Sequence, residues 1–234
     1  MSSAPAFHVL PIANVREETP ELVHLELGDV PAAVQQAYAV PGQYVQIQEG
    51  AGKPGFFAIA CGPSKGKLEF LIKRGNPVAD AITAKRPGQA LAVSAPAGKG
   101  YPMQEARGKD LFLFAVGSGL TPVRAVVHEV IRERDAYGDV KLFYGVRTAG
   151  GFPYADEIGA WLTYRIEVTR VCSQPEPGTW QNLTGRVQDV FRQRKPHVAP
   201  DACVFVCGMK GMVEGVKAAV QEFGLPPQRV FQNF

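Results

Sequence analysis

Two short stretches hold residues whose type and spacing suit the binding of an anionic ligand. The first is Gly117, Ser118, Gly119, Leu120, Thr121 and Pro122. It follows an apolar run, Leu111 to Val116, of buried-strand length. It precedes Val123, Val126, Val127, Val130 and Ile131, which recur at helical spacing. A strand, a glycine turn and a helix start in that order make a phosphate site. Glycine allows the tight turn and the close approach of a ligand, and the helix N-terminus offers free N–H groups and a favourable dipole. Thr121 is expected as the N-cap and Pro122 at the first helical position. The second stretch is Cys203 to Gly208, CVFVCG, a further apolar strand that ends in glycine before a helix from Met209. In an open parallel sheet, ligands lie beyond the carboxyl ends of the strands. Gly117 and Gly208 are therefore expected to line one crevice, with Cys203 and Cys207 on one face of their strand. Tyr144, Gly145, Val146 and Arg147 end a third strand in the same way. Arg147 is placed either to reach a phosphate or in a solvated loop.

Other chemistries are poorly supported. The four cysteines make no C-x-x-C pair, so no metal or iron–sulfur site is expected. His8, His24, His128 and His197 lack a carboxylate or cysteine at catalytic spacing and read as structural or surface residues. Asp156 and Glu157, near a helix start, read as dipole partners. A net charge of +3 with no basic stripe does not call for nucleic acid. No apolar stretch is long enough to span a bilayer, and no secretory signal is evident. The expected location is cytoplasmic, with an organellar stroma as the alternative if a transit peptide has been removed.

The elements that must position these residues fall into two rhythms. Up to about Ala106 the chain reads as short strands with glycine and proline turns: Phe7 to Val15, Leu22 to Leu27, Tyr44 to Gln48, Phe56 to Cys61, Leu68 to Lys73 and Gln89 to Ser94, plus a helix from Val78 to Lys85. That pattern predicts a small antiparallel β-barrel. After Arg107-Gly108, strands and helices alternate to the end, which predicts a parallel sheet with helices on both faces. A final segment, Arg229 to Phe234, is expected to add an edge strand. The prediction is a two-domain α+β protein: residues 1–106 an antiparallel barrel, residues 107–234 an α/β Rossmann-like domain.

PGQYVQI, the FAIAC strand, VGSGLTP, YGVR and CGMKGM come in the order found in the ferredoxin–NADP reductase superfamily, which the chain resembles over nearly its whole length. FAIA, SQP and the final NF are similar to a branch of FAD/NAD(P)-binding oxidoreductases of the pKIWI502 type. The resemblance implies a barrel that holds FAD (FMN less favoured) and a second domain that holds NADH or NADPH. Hydride would pass from nicotinamide to flavin, and electrons would go on to an unidentified acceptor, a redox protein among the candidates. It also implies that Gly117, Ser118, Gly119, Thr121 and Pro122 lie along the nucleotide pyrophosphate. Gly145, Arg147, Ser173, Gly208, Met209 and Met212 would flank the nucleotide. Cys207 would stand near the nicotinamide, and Phe234 would cover the flavin ring. Tyr44, Phe57, Ala58, Ile59, Ala60, Lys73, Gly75, Val78 and Ala79 would contact the flavin cofactor.

The flavin motif departs from the superfamily. Its usual Arg-x-Tyr-Ser/Thr is replaced by Gly55, Phe56, Phe57 and Ala58. The missing arginine pairs with the flavin phosphate, and such a charge-assisted bond is worth roughly 1.5–3 kcal/mol. Its loss weakens binding by about ten- to a hundredfold unless Lys53, Lys73 or Arg74 substitutes, or the backbone of Gly75 to Ala79 holds the pyrophosphate. The pair Ser173-Gln174 stands where NADPH-specific members have Ser-Arg, which favours NADH. Two other classes compete with the reductase: a binding module that keeps the fold without tight flavin binding, and a reductase that uses free flavin as substrate.

Overall fold

The computed structural model describes residues 6–233. Phe234, expected over a flavin ring, lies outside the described residues. The first half is an antiparallel sheet of six strands: β1 (Phe7–Thr19), β2 (Leu22–Leu27), β3 (Tyr44–Gln48), β4 (Gly55–Ala58), β5 (Leu68–Lys73) and β6 (Ala90–Ser94). Their order is β4-β3-β6-β1-β2-β5. Just past β4, the Ala60 N–H donates to the Glu69 carbonyl of β5 at 2.7 Å. This bond joins the two edges and closes the barrel. Alternation drives the fold here: Val45 and Ile47 of β3, Leu91 and Val93 of β6, and Leu10 and Ile12 of β1 all point into one buried core. Two helices serve the barrel, α1 (Ala32–Ala37) and α2 (Pro77–Thr83). The first was not expected from the sequence. It is one and a half turns long and buries only Val34, too little apolar periodicity to read.

The second half is a parallel sheet, β10-β9-β8-β7-β11-β12. It is made of β7 (Leu111–Val116), β8 (Val140–Val146), β9 (Ile166–Cys172), β10 (Leu183–Thr184), β11 (Cys203–Cys207) and β12 (Val230–Phe231). The edge strand expected near the end of the chain is β12. Helices α3 (Leu120–Arg132) and α4 (Ala155–Ala160) cover one face, and α5 (Val187–Arg194) and α6 (Lys210–Glu222) the other. The strands are buried on both sides. Leu111, Leu113 and Ala115 pack toward α3, while Phe112 and Phe114 pack toward α5 and α6. Cys203, Phe205 and Cys207 share the α3 side, as the strand pattern requires.

The two halves meet along a seam crossed by side chains. The connecting segment sends Tyr101, fully buried, onto Phe205 with ring centroids 4.8 Å apart, and its hydroxyl donates to the Val206 carbonyl. Near the chain end, the Asn233 amide donates to the Gly42 carbonyl just ahead of β3.

Candidate functional site

At the end of β7, Gly117 turns with φ +53°, a left-handed conformation that disfavours any side chain. No atom lies within 4 Å of the place its Cβ would take, so the turn presents open backbone. Gly119 has a different reason. A Cβ there would sit 2.4 Å from the Cys207 carbonyl oxygen, so the turn after β7 is pressed against the end of β11. Gly208 would meet Val116 at 2.7 Å and Met212 sulfur at 3.0 Å. The turn after β7 and the end of β11 are thus pressed together by contacts only glycine permits, with open space over the Gly117 α-carbon. Tyr144 supports it from β8, its hydroxyl donating to the Gly117 carbonyl at 3.0 Å.

Several residues take other roles than those expected. α3 begins at Leu120 with Gly119 as its cap, so Thr121 is inside the helix and Pro122 is its third residue. The Thr121 hydroxyl lies 2.7 Å from the Ser118 carbonyl and 3.2 Å from the Leu71 carbonyl of β5. It ties the helix to the barrel instead of capping. Met212 is buried in the core beneath Gly208, whereas Met209 is 74% exposed at the start of α6. Gly145 is buried; a Cβ there would strike Val187 at 2.8 Å, so it serves the approach of α5. Arg147 and Ser173 stand at the ends of β8 and β9. The Arg147 guanidinium donates to the Gln174 side chain at 2.8 Å, and the Ser173 hydroxyl donates to the Val146 carbonyl. Cys207 is half-buried, and burial pushes its thiol up to about 11. It remains a neutral thiol at physiological pH.

On the barrel side, Tyr44 is half-buried beside β4, edge to face with the exposed ring of Phe56 at 5.5 Å. Ala58 pairs with Tyr44 in register. Phe57 pairs with Val45 and packs with Val78 toward the core. Ile59 and Ala60 are fully buried, and their N–H groups are used by Gln43 and Glu69 carbonyls. Neither has a side-chain face left for a ligand, because the chain dives inward past β4 to close the barrel. Asn233 Oδ1 is buried at the seam with no hydrogen-bond donor, although its amide nitrogen is satisfied. An acceptor of that kind beside β3 fits a ligand carrying N–H groups.

The phosphate end of the expected flavin site is built differently. A Cβ on Gly55 would lie 2.8 Å from the Phe57 ring and 3.0 Å from Val78. The Phe57 ring therefore fills the space over Gly55, where the superfamily's arginine side chain would begin. Lys73 pairs with Glu21 at 3.1 Å, and Arg74 with Glu17 at 2.6 Å. At the start of α2, the Gly75 N–H donates to the Asp80 carboxylate at 2.8 Å and the Ala79 N–H to Asn76 Oδ1 at 3.0 Å. Ala79 itself is buried. A flavin ring fits this strand; a pyrophosphate meets a turn already closed by its own side chains.

The densest polar contacts were not read from the sequence at all. Arg124, buried in α3, donates to Glu69 Oε2 (2.6 Å), to the Ala60 carbonyl (3.0 Å) and to Glu157 (2.9 Å). Its guanidinium lies 4.4 Å over the Tyr154 ring. Tyr154 in turn meets His24 of β2 at 2.9 Å, and His128 meets Glu157 at 2.8 Å. So Glu157 is an ion-pair partner of α3 within the second half, Arg124 reaches across the seam to Glu69, and His128 does have a carboxylate partner. A polar cavity of about 590 Å³ opens beside this cluster, lined by Arg16, Glu18, His24 and Lys67 among others. Gly117 and Gly208 do not line it. Arg124 and His128 are spaced i, i+4 on α3, but that spacing alone does not identify Glu69 and Glu157 as their partners.

Residues 113–218 match the model of the oxidoreductase NAD-binding domain. The chain is 27% identical over 194 residues to the gamma subunit of sulfhydrogenase 1 from Pyrococcus furiosus, covering 82% of this chain and 66% of that one. It is 25% identical over 239 residues to the fruit protein pKIWI502 of Actinidia deliciosa, covering 94% and 75%. The fold superposes on a ferredoxin NADP+ reductase from Neisseria gonorrhoeae, solved with FAD and NADP bound, at a TM-score of 0.81 with 17% identity and 98% of both chains covered. In sequence and fold the chain is thus similar to oxidoreductases of the ferredoxin reductase type. Proteins of this type use FAD with NAD(P)H. The chain spans two thirds to three quarters of the length of the two relatives. Among the described residues, no helix is long and apolar enough to cross a membrane.

Proposed function

We propose that the chain is an NAD(P)H-dependent flavin oxidoreductase in which residues 107–234 bind the nicotinamide nucleotide and residues 1–106 bind the flavin. The observation that carries this reading is the crevice between β7 and β11. Gly117 offers open backbone, while Gly119 and Gly208 lock the two strand ends together. The nucleotide pyrophosphate lies along Gly117 to Gly119 at the start of α3, where free N–H groups and the helix dipole favour an anion. Cys207, as a neutral thiol, borders the nicotinamide without acting as a nucleophile. The flavin ring lies beside Tyr44 and Ala58. When bound, the flavin supplies the hydride acceptor and releases electrons one or two at a time. The chain's own residues orient the two rings and exclude water, and no protein acid or base is needed for hydride transfer.

The nucleotide is NADH. The pair Ser173-Gln174 supplies no cation for a 2′-phosphate, and Arg147 is engaged by the Gln174 side chain. The electrons leave to an acceptor outside this chain, a redox protein being the class we favour, since one relative is by name a subunit of a larger enzyme. The test is anaerobic mixing of the purified protein with excess FAD and either nucleotide. The visible flavin band should bleach faster with NADH than with NADPH. A protein that binds nucleotide yet never bleaches added flavin would reduce the chain to a binding module.

A further inference from the structure

The geometry points to a flavin held by its ring and side-chain end alone, so that the chain takes FAD, FMN and riboflavin with similar affinity and exchanges them with solution. This inference rests on the flavin reading above and narrows its substrate class to flavins regardless of their phosphates.

Three independent observations carry it. The first is steric. Gly55 occupies the position of a phosphate-pairing arginine, and the site is closed to any side chain by the Phe57 ring at 2.8 Å and Val78 at 3.0 Å. The second concerns the nearby cations. Lys73 and Arg74, the basic residues between β5 and α2, are already paired with Glu21 and Glu17 on the barrel's outer surface. The third is electrostatic. The turn at Gly75, which would have to offer N–H groups to a phosphate, has donated them to its own side chains. Gly75 N–H goes to Asp80 and Ala79 N–H to Asn76. The Asp80 carboxylate places a negative charge where an incoming phosphate would need a donor, and like charges at that range repel.

The ring end is different. Tyr44 and Ala58 line β3 and β4, and the buried Asn233 Oδ1 stands at the seam without a donor. What the site recognises is therefore common to all three flavins. A lost phosphate grip removes about ten- to a hundredfold of the affinity that would otherwise set FAD apart. The cofactor then behaves as a second substrate that arrives oxidised and leaves reduced.

The experiment is a fluorescence-quenching titration of the purified chain with FAD, FMN and riboflavin, which needs no turnover. The three dissociation constants should agree within about threefold, and gel filtration should strip the flavin from the protein. FAD binding more than about tenfold tighter than riboflavin would overturn the inference. A second arm uses Asp80→Asn, which keeps an acceptor for Gly75 and removes the charge. It should tighten FAD and FMN while leaving riboflavin unchanged. An equal effect on all three, or none, would show that Asp80 does not face the phosphates and would also overturn it. If no flavin binds at all, the reading of the preceding section fails; if FAD alone binds tightly, that reading stands and only this inference falls.

Discussion

Cys207 and Cys61 both carry thiols that burial holds protonated, at about 11 and about 12. Thiol reagents attack the thiolate, so neither should react in the native protein near neutral pH. Iodoacetamide at pH 8 followed by intact mass measurement should leave both unmodified until denaturant is added. Rapid native labelling of Cys207 would mean that the helix N-terminus beside it outweighs its burial. The two glycines of the turn make a sharper pair, because they are glycine for different reasons. Gly119→Ala drives a methyl to within 2.4 Å of the Cys207 carbonyl. It must push α3 off β11, with a stability loss of about 1–3 kcal/mol and loss of nucleotide binding. Gly117→Ala meets no atom and pays only for its left-handed backbone, about 1–2 kcal/mol. NADH titration should therefore separate the two variants more than thermal melting does.

At the scale of elements, α3 is two helices in one. Val123, Val126, Val127 and Val130 bury one side against the sheet, and that side is legible from spacing alone. The other side docks on the barrel through Thr121 to Leu71, Arg124 to Ala60 and Glu69, His128 to Gly62, and Glu129 to Ser64. That stripe was illegible because its partners lie fifty or more residues away. The parallel sheet was legible because β7 and β11 are continuous apolar runs ending in glycine and because strand and helix patterns alternate after Gly108. The role of Ile59 and Ala60 was not, because barrel closure sends them inward. The stripe makes a pH prediction. Burial alone would raise the Glu69 carboxyl, but Arg124 and Lys67 outweigh it and hold it at about 2, below its ordinary 4.5. A carboxyl depressed by folding stabilises the native state above the unfolded value and loses that contribution as pH falls toward the folded one. Wild-type stability should therefore drop between about pH 4.5 and 2, on the order of 3 kcal/mol. Urea melts of Glu69→Gln over the same range should be flatter.

The molecule as a whole has separate apolar cores, one in the barrel and one on each face of the parallel sheet, and none of them is shared equally across the seam. What couples the halves is largely polar: Arg124 with Glu69, Tyr154 with His24, Tyr101 with Val206, and Asn233 with Gly42, while Glu157 holds Arg124 in place from its own half. Interfaces of this kind fix geometry more than they add stability, since buried charges lose on desolvation much of what they gain by pairing. Removing Arg124 is a different matter, because Glu69 and Glu157 keep only Lys67 and His128 as partners, at up to about 3–5 kcal/mol. Arg124→Met should thus act at the seam and spare the three apolar cores. Scanning calorimetry should show one transition for the wild type and two for the variant, the barrel and the parallel-sheet half melting apart. The triple variant Glu69→Gln, Arg124→Met and Glu157→Gln removes the stranded charges. It should regain most of the lost stability without regaining the alignment that Arg124 imposes between the end of β4 and the start of α3. In the triple variant, NADH and flavin should each bind with unchanged affinity while flavin reduction by NADH slows. A triple variant that reduces flavin at the wild-type rate would show that the remaining contacts at Thr121, Tyr101 and Asn233 are sufficient to set the geometry of the seam.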